Sequence, residues 1–189
     1  MIPLNIPTLG KEEETAALRV LRSRWIAEGK EVEKFEDELC GFLEIPRASA
    51  VALSSGSAAL YVALRALGVG KGNEVIMPSY ACSALLDAVF LAQAKPRLVD
   101  VDEQDLNLSF AQTKRSIGRR TGAIIVTHTN GMPADMAAFM KLGVPVIEDA
   151  AQAIGATIGT RQVGTFGTIA IFSFGATKML TSSHGGMVF

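Results

Sequence analysis

The sequence predicts an α/β fold: a three-layer αβα arrangement around a mainly parallel sheet. Three observations carry this. Apolar runs alternate with amphipathic stretches from residue 48 onward. The runs are continuously apolar, as strands covered on both faces are, instead of alternating with polar residues. The composition, 49% apolar and 20% charged with 18 glycines in 189 residues, gives enough chain for one real core and glycine for its turns.

The elements follow in order. "ASAVALS" reads as a strand, and "GSAALYVALRAL" has helical spacing and good helix formers. "NEVIMP" is a second strand, followed by a helical "CSALLDAVFLAQ". "KPRLVDV" is a third strand and "TGAIIVTH" a fourth, separated by the mixed segment "SFAQTKRSI". "PADMAAFMKLG" reads as a short helix leading to the strand "VPVIED", and "IAIFSF" is another strand. Strands that alternate with helices build a parallel sheet. Before residue 46 the pattern differs. "KEEETAALRVLRSRWI" and "GKEVEKFEDELCGFL" are amphipathic helices, the second with Val32, Phe35, Leu39 and Phe42 on one side.

The bulk numbers exclude several classes. A net charge of −1 gives no electrostatic case for nucleic acid or an anionic membrane. Asp87 interrupts the best candidate span, "ALLDAVFLAQA", and "MIPLNIPTLGKEEE" lacks the layout of a signal peptide. Cys40 and Cys82 establish no disulfide framework, so a reducing cytoplasm is the expected compartment. "GVGKGN" has the wrong spacing for a nucleotide-binding glycine loop. His128 and His184 have no acidic cluster around them, so no metal site is expected, and His128 reads as structural or pocket-lining.

Ligands of open α/β sheets sit at the carboxyl ends of strands, where this chain places its reactive groups. Ser54, Ser55, Gly56 and Ser57 lie between a strand and a helix, where small residues let backbone N–H groups approach a phosphate. They are equally ordinary helix caps. Asp149 follows the apolar "VPVI" and is suited to a protonated heterocyclic nitrogen, or to capping a helix "AAQAIG". Gln152 is as readily a helix-surface residue. Lys178, in "SFGATKMLTSSHGG", is a candidate nucleophile toward a carbonyl, or a loop lysine. Ser173 could offer a hydroxyl to the same phosphate. An amine, a carboxylate and a small-residue helix start together meet the needs of pyridoxal 5'-phosphate.

With these motifs the chain resembles the DegT/DnrJ/EryC1/StrS family of PLP-dependent sugar aminotransferases. The resemblance covers nearly all of the sequence, through "SSGSAAL", "GNEVIMPSY", "PRLVDVDEQDLNL", "HTNGMPADM", "VIEDAAQAIGA" and "FSFGATKMLTSSHGGMVF". It implies the large domain of the aspartate-aminotransferase type, with a helical segment at 1–45 packing on a PLP-binding domain at 46–189. Lys178 would be the covalent anchor of the cofactor and its proton carrier. Asp149 would pair with the pyridine nitrogen, Gln152 with the phenolic oxygen, and Gly56, Ser57 and Ser173 with the phosphate. The implied reaction moves an amino group, usually from glutamate, to a nucleotide-linked keto sugar, and the implied assembly is a homodimer.

Two departures qualify the resemblance. Cys82 falls where the family usually stacks an aromatic ring on the cofactor, with Tyr80 two places earlier; Cys82 also reads as a small hydrophobe. The chain stops at "GGMVF", where the family continues into a smaller C-terminal domain, so an N-terminal fragment or truncated form is expected. The alternatives are a non-catalytic cofactor- or partner-binding domain and a PLP-dependent sugar dehydratase. Lys178 opposes the latter, since those relatives carry histidine there.

Overall fold

Charge placement decides where the first helix begins. Glu12, Glu13 and Glu14 crowd the first turn of α1 (Lys11–Ser23) and Arg22 stands in its last, each sign matching the helix dipole. Glu13 also reaches back to accept the Gly10 N–H at 2.7 Å. The computed structural model describes residues 6–189; residues 1–5, part of the expected helical segment and of the start read for a signal peptide, lie outside the described residues. The chain divides into two compact units, Met1–Ala50 and Val51–Phe189.

In the first unit, α1 buries no residue, and α2 (Lys30–Phe42) buries Leu39 and Cys40. Arg19 forks onto Glu31 through two bonds of 3.0 and 2.9 Å. Both side chains are exposed, so the pair orients the two helices more than it stabilises them.

The second unit runs β1 (Val51–Leu53), α3 (Gly56–Ala66), β2 (Glu74–Pro78), α4 (Ala84–Leu91), β3 (Lys95–Val99), α5 (Phe110–Ser116) and β4 (Thr121–Thr127). It continues with α6 (Met136–Phe139), β5 (Val146–Asp149), a hairpin of β6 (Thr157–Ile158) and β7 (Arg161–Gln162), then β8 (Ile169–Ser173) and β9 (Gly186–Val188). The seven-stranded sheet has the order β1-β9-β8-β5-β4-β2-β3. The pairs from β8 to β3 are parallel, and β9 lies antiparallel between β1 and β8.

Alternate residues of the central strands enter two separate cores. Val75, Met77, Ala123, Ile125 and Ile147 face α3 and α4. Ile76, Ile124, Val126 and Val146 face Met136 and Phe139 of α6. These strands are therefore apolar on both faces, which is why they read as unbroken runs. Full burial of each Val, Ile, Met or Phe side chain among them contributes roughly 1.5–3 kcal/mol.

The structure adds two elements to the sequence reading and corrects a third. The mixed segment contains α5, whose start is capped by Ser109 accepting the Gln112 N–H. The β6–β7 hairpin turns at Gly159, with φ 62°. "AAQAIG" forms turns and no helix, so Asp149 caps none. Among the described residues no helix is long and apolar enough to cross a membrane.

Candidate functional site

The chain passes from β2 outward to β3 and then returns to β4 on the other side of β2. Such a reversal opens a crevice at the carboxyl ends of the strands. A cleft of about 550 Å³ lies there, and Gly56, Ser57, Cys82, Asp149, Gln152, Ser173 and Lys178 all line it. The structure thus brings together these seven residues, with Ser55 beside them, while Ser54 does not line the cleft.

The helix start is built for an anion. Ser55 caps α3, its hydroxyl accepting the Ala58 N–H at 3.1 Å. The N–H groups of Gly56 and Ser57 belong to the first turn, which finds no acceptors within its own helix. A Cβ on Gly56 would stand 2.8 Å from the Ser173 Cβ. Glycine is thus what lets the start of α3 close onto the end of β8, gathering N–H groups and the Ser173 hydroxyl at one place.

Asp149 ends β5 and is 6% exposed. Its Oδ1 accepts the Ala151 N–H at 3.0 Å, a tight turn that replaces the expected helix cap. Burial pushes its carboxyl above the ordinary value, against the Ala151 N–H, the Lys178 charge and the neighbouring His128. An acid desolvated this way, with one hydrogen bond and an aqueous cleft before it, is suited to a cationic N–H donor from a ligand. Lys178 is half-buried in a turn closed by its N–H to the Gly175 carbonyl at 2.9 Å.

Gln152 is exposed and its Oε1 accepts the N–H of Asn130, at 3.2 Å. Its amide NH₂ is left as the donor end, the polarity that a phenolic oxygen requires. Cys82 is a free, exposed thiol in the bend after β2, and Tyr80 lines the same cleft at 56% exposure. An aromatic ring is therefore present beside the thiol at this wall.

Sequence reasoning left Thr127, Asn130 and Ala151 unassigned, yet all three line the cleft. The available signal was position: each sits at or just past a strand's carboxyl end. His128 lines the cleft and is also 1% exposed, so it is both structural and pocket-lining. Among the described residues no group of three or more His, Cys, Asp or Glu could hold a metal ion.

The amine, the under-partnered carboxylate and the anion-ready helix start fit pyridoxal phosphate by their chemistry. Comparison with solved structures points the same way. The aminotransferase TlmJ from Streptoalloteichus hindustanus matches 100% of this chain and 52% of its own, with a TM-score of 0.95 and 34% identity. A putative sugar aminotransferase, Spr1654 from Streptococcus pneumoniae, in its PLP form matches 99% of this chain and 52% of its own, with a TM-score of 0.94 and 27% identity. The E coli GDP-4-keto-6-deoxy-D-mannose-3-dehydratase with bound hydrated PLP matches 98% and 50%, with a TM-score of 0.91 and 26% identity. The chain spans about half the length of each. The family model of the DegT/DnrJ/EryC1/StrS aminotransferases matches residues 7–189. On that match, and on the fold and site it covers, the chain belongs to the DegT/DnrJ/EryC1/StrS aminotransferase family.

Proposed function

We propose that the chain is the cofactor-binding part of a PLP-dependent aminotransferase that moves an amino group from glutamate to a nucleotide-linked keto sugar. The observation that carries this reading is the meeting of Lys178, Asp149 and the Gly56–Ser57–Ser173 anion cradle in one cleft. In it, residues 46–189 are the cofactor-binding domain, residues 1–45 are its N-terminal helical segment, and the working enzyme is a homodimer. The sugar and the donor rest on the family alone.

Bound in this cleft, pyridoxal phosphate supplies a carbonyl and an electron-withdrawing ring for amino transfer. The chain's own groups divide the remaining work. The Gly56 and Ser57 N–H groups, with the Ser57 and Ser173 hydroxyls, hold the phosphate. Asp149 holds a proton at the ring nitrogen, and its burial strengthens that attraction. Gln152 donates to the phenolic oxygen. Lys178 anchors the cofactor through its amine and then carries a proton at Nζ. Tyr80 and Cys82 form the wall against the ring. Lys178 also favours amino transfer over the dehydratase reading, which calls for histidine at this position.

The test is the visible absorption spectrum of the purified chain with added pyridoxal phosphate, followed by borohydride trapping and peptide mapping. We expect a visible band and a label on Lys178, with both absent in Lys178→Ala. A folded wild-type chain that gives no lysine-dependent band would overturn the reading.

A further inference from the structure

Neighbouring residues of a strand point to opposite faces, so the acid pair that ends β5 cannot serve one site. Asp149 faces the cleft. Glu148 goes the other way and is fully buried, at 0% exposure. A carboxylate in such a place must be matched by donors. Its Oε1 accepts the Gly164 N–H at 2.7 Å and the His128 Nε2–H at 3.0 Å. Its Oε2 accepts the N–H groups of Phe166 and Gly167, both at 2.7 Å. Four donors fill the four lone-pair sites of a carboxylate. Burial alone would raise this acid, but the bonds from His128, Gly164 and Gly167 outweigh it and hold Glu148 below its ordinary value.

The donors come from two separate parts of the chain. His128 follows β4, and its tautomer is fixed from the far side, where Nδ1 accepts the Ala134 N–H at 3.0 Å. Its backbone N–H donates to the Asp149 carbonyl at 3.1 Å. Gly164, Phe166 and Gly167 lie in the turn that feeds β8, the strand ending at Ser173. A Cβ on Gly167 would come within 2.8 Å of both the Glu148 Cβ and the Ile169 carbonyl oxygen, so this turn closes tightly on the carboxylate. Glu148 therefore ties the ends of β4 and β5 to the turn before β8, directly behind the groups that line the cleft.

We propose that Glu148 is a positioning residue for the cofactor site: its buried carboxylate, clamped to His128 and the 164–167 turn, fixes the strand-end geometry that presents Asp149 to the ring nitrogen. The proposal rests on the aminotransferase reading. It assigns a role to an acid that touches neither cofactor nor substrate, and it predicts a selective defect.

The experiment compares two ligands on the 189-residue chain: pyridoxal phosphate, and the analogue whose ring nitrogen is replaced by C–H. Glu148→Gln keeps the side chain's shape but turns an NH₂ toward groups that are themselves donors. We expect its affinity for pyridoxal phosphate to fall about tenfold, the scale at which groups that orient a binding residue act. Affinity for the analogue, which has no nitrogen for Asp149 to meet, should change less than about twofold on the same argument. Asp149→Asn supplies the reference pattern. If Glu148→Gln does not fold, His128→Gln is measured with the same two ligands and should show the same selectivity at smaller size. Equal loss for both ligands, or loss for neither, would overturn the proposal. A wild-type chain that binds neither ligand would instead overturn the aminotransferase reading on which it rests.

Discussion

The two sides of β5 show one chemical group in opposite circumstances. On the sealed side, the Glu148 carboxylate has four donors, no exposure, and an acidity strengthened by its bonds. On the cleft side, the Asp149 carboxylate has the Ala151 N–H, slight exposure, and an acidity weakened by burial. The difference lies more in the donors than in depth, because both acids are buried. A saturated buried carboxylate holds the fold together, and an unsaturated one is held ready for a ligand.

The contrast breaks most visibly if the saturated acid is removed. Glu148→Ala leaves the His128 Nε2–H and three backbone N–H groups unpaired in a dry site. Each such group costs about 1–3 kcal/mol, and partial relaxation brings the total to roughly 3–5 kcal/mol. That is a large share of an ordinary domain's stability of about 5–15 kcal/mol. Urea denaturation of the apoprotein should show a much lower midpoint; a shift below about 1 kcal/mol would mean that water or a rearranged turn satisfies these donors.

A smaller change tests whether the two sides fail in different ways. Adding one methyl at Gly167 meets the Glu148 side chain and backbone, while adding one at Gly56 meets Ser173. Both overpack, at about 1–3 kcal/mol. Gly167→Ala should lower thermal stability and, by loosening the Glu148 clamp, weaken pyridoxal phosphate more than its analogue without the ring nitrogen. Gly56→Ala should weaken both ligands alike, by about tenfold, because it pushes the helix start away from the Ser173 hydroxyl. Parallel melts and titrations with the two ligands separate the variants; the same pattern of binding loss in both would show that the two sides do not fail in different ways.

How much of this could be read in the sequence follows the same division. The parallel strands were legible because burial on both faces leaves unbroken apolar runs, as in "VPVI" and "IAIF". The cleft residues were legible because strand-end position and residue type both mark them. The β6–β7 hairpin was not, since two-residue strands carry no periodicity. Nor was the placement of β9 between β1 and β8, which depends on contacts far apart in sequence. Glu148 was visible as half of an acid pair, but its role was hidden. Three of its four partners are backbone N–H groups 16 to 19 residues away, which side-chain identity does not announce.

The smallest expected effect concerns pH, and its sign distinguishes the two acids. Asp149 has a folded-state value raised above its ordinary 3.8. The folded apoprotein therefore binds this proton more tightly than the unfolded chain, and the group's contribution to stability is greatest at low pH. It declines as pH rises through 3.8 toward the raised value, then stays constant as a penalty for burying the charge. Glu148, lowered from 4.5, behaves oppositely: its contribution is present above 4.5 and fades as pH falls through the lowered value. Asp149→Asn removes the penalty and keeps the side chain's shape and an acceptor for the Ala151 N–H. The apo variant should be at least as stable as wild type near neutrality, and any excess should shrink as pH falls toward the ordinary value of 3.8. Denaturation of the two apoproteins across this range measures it. A variant less stable than wild type at neutral pH would mean that Asp149 is satisfied within the fold, and the contrast between the two sides of β5 would be lost.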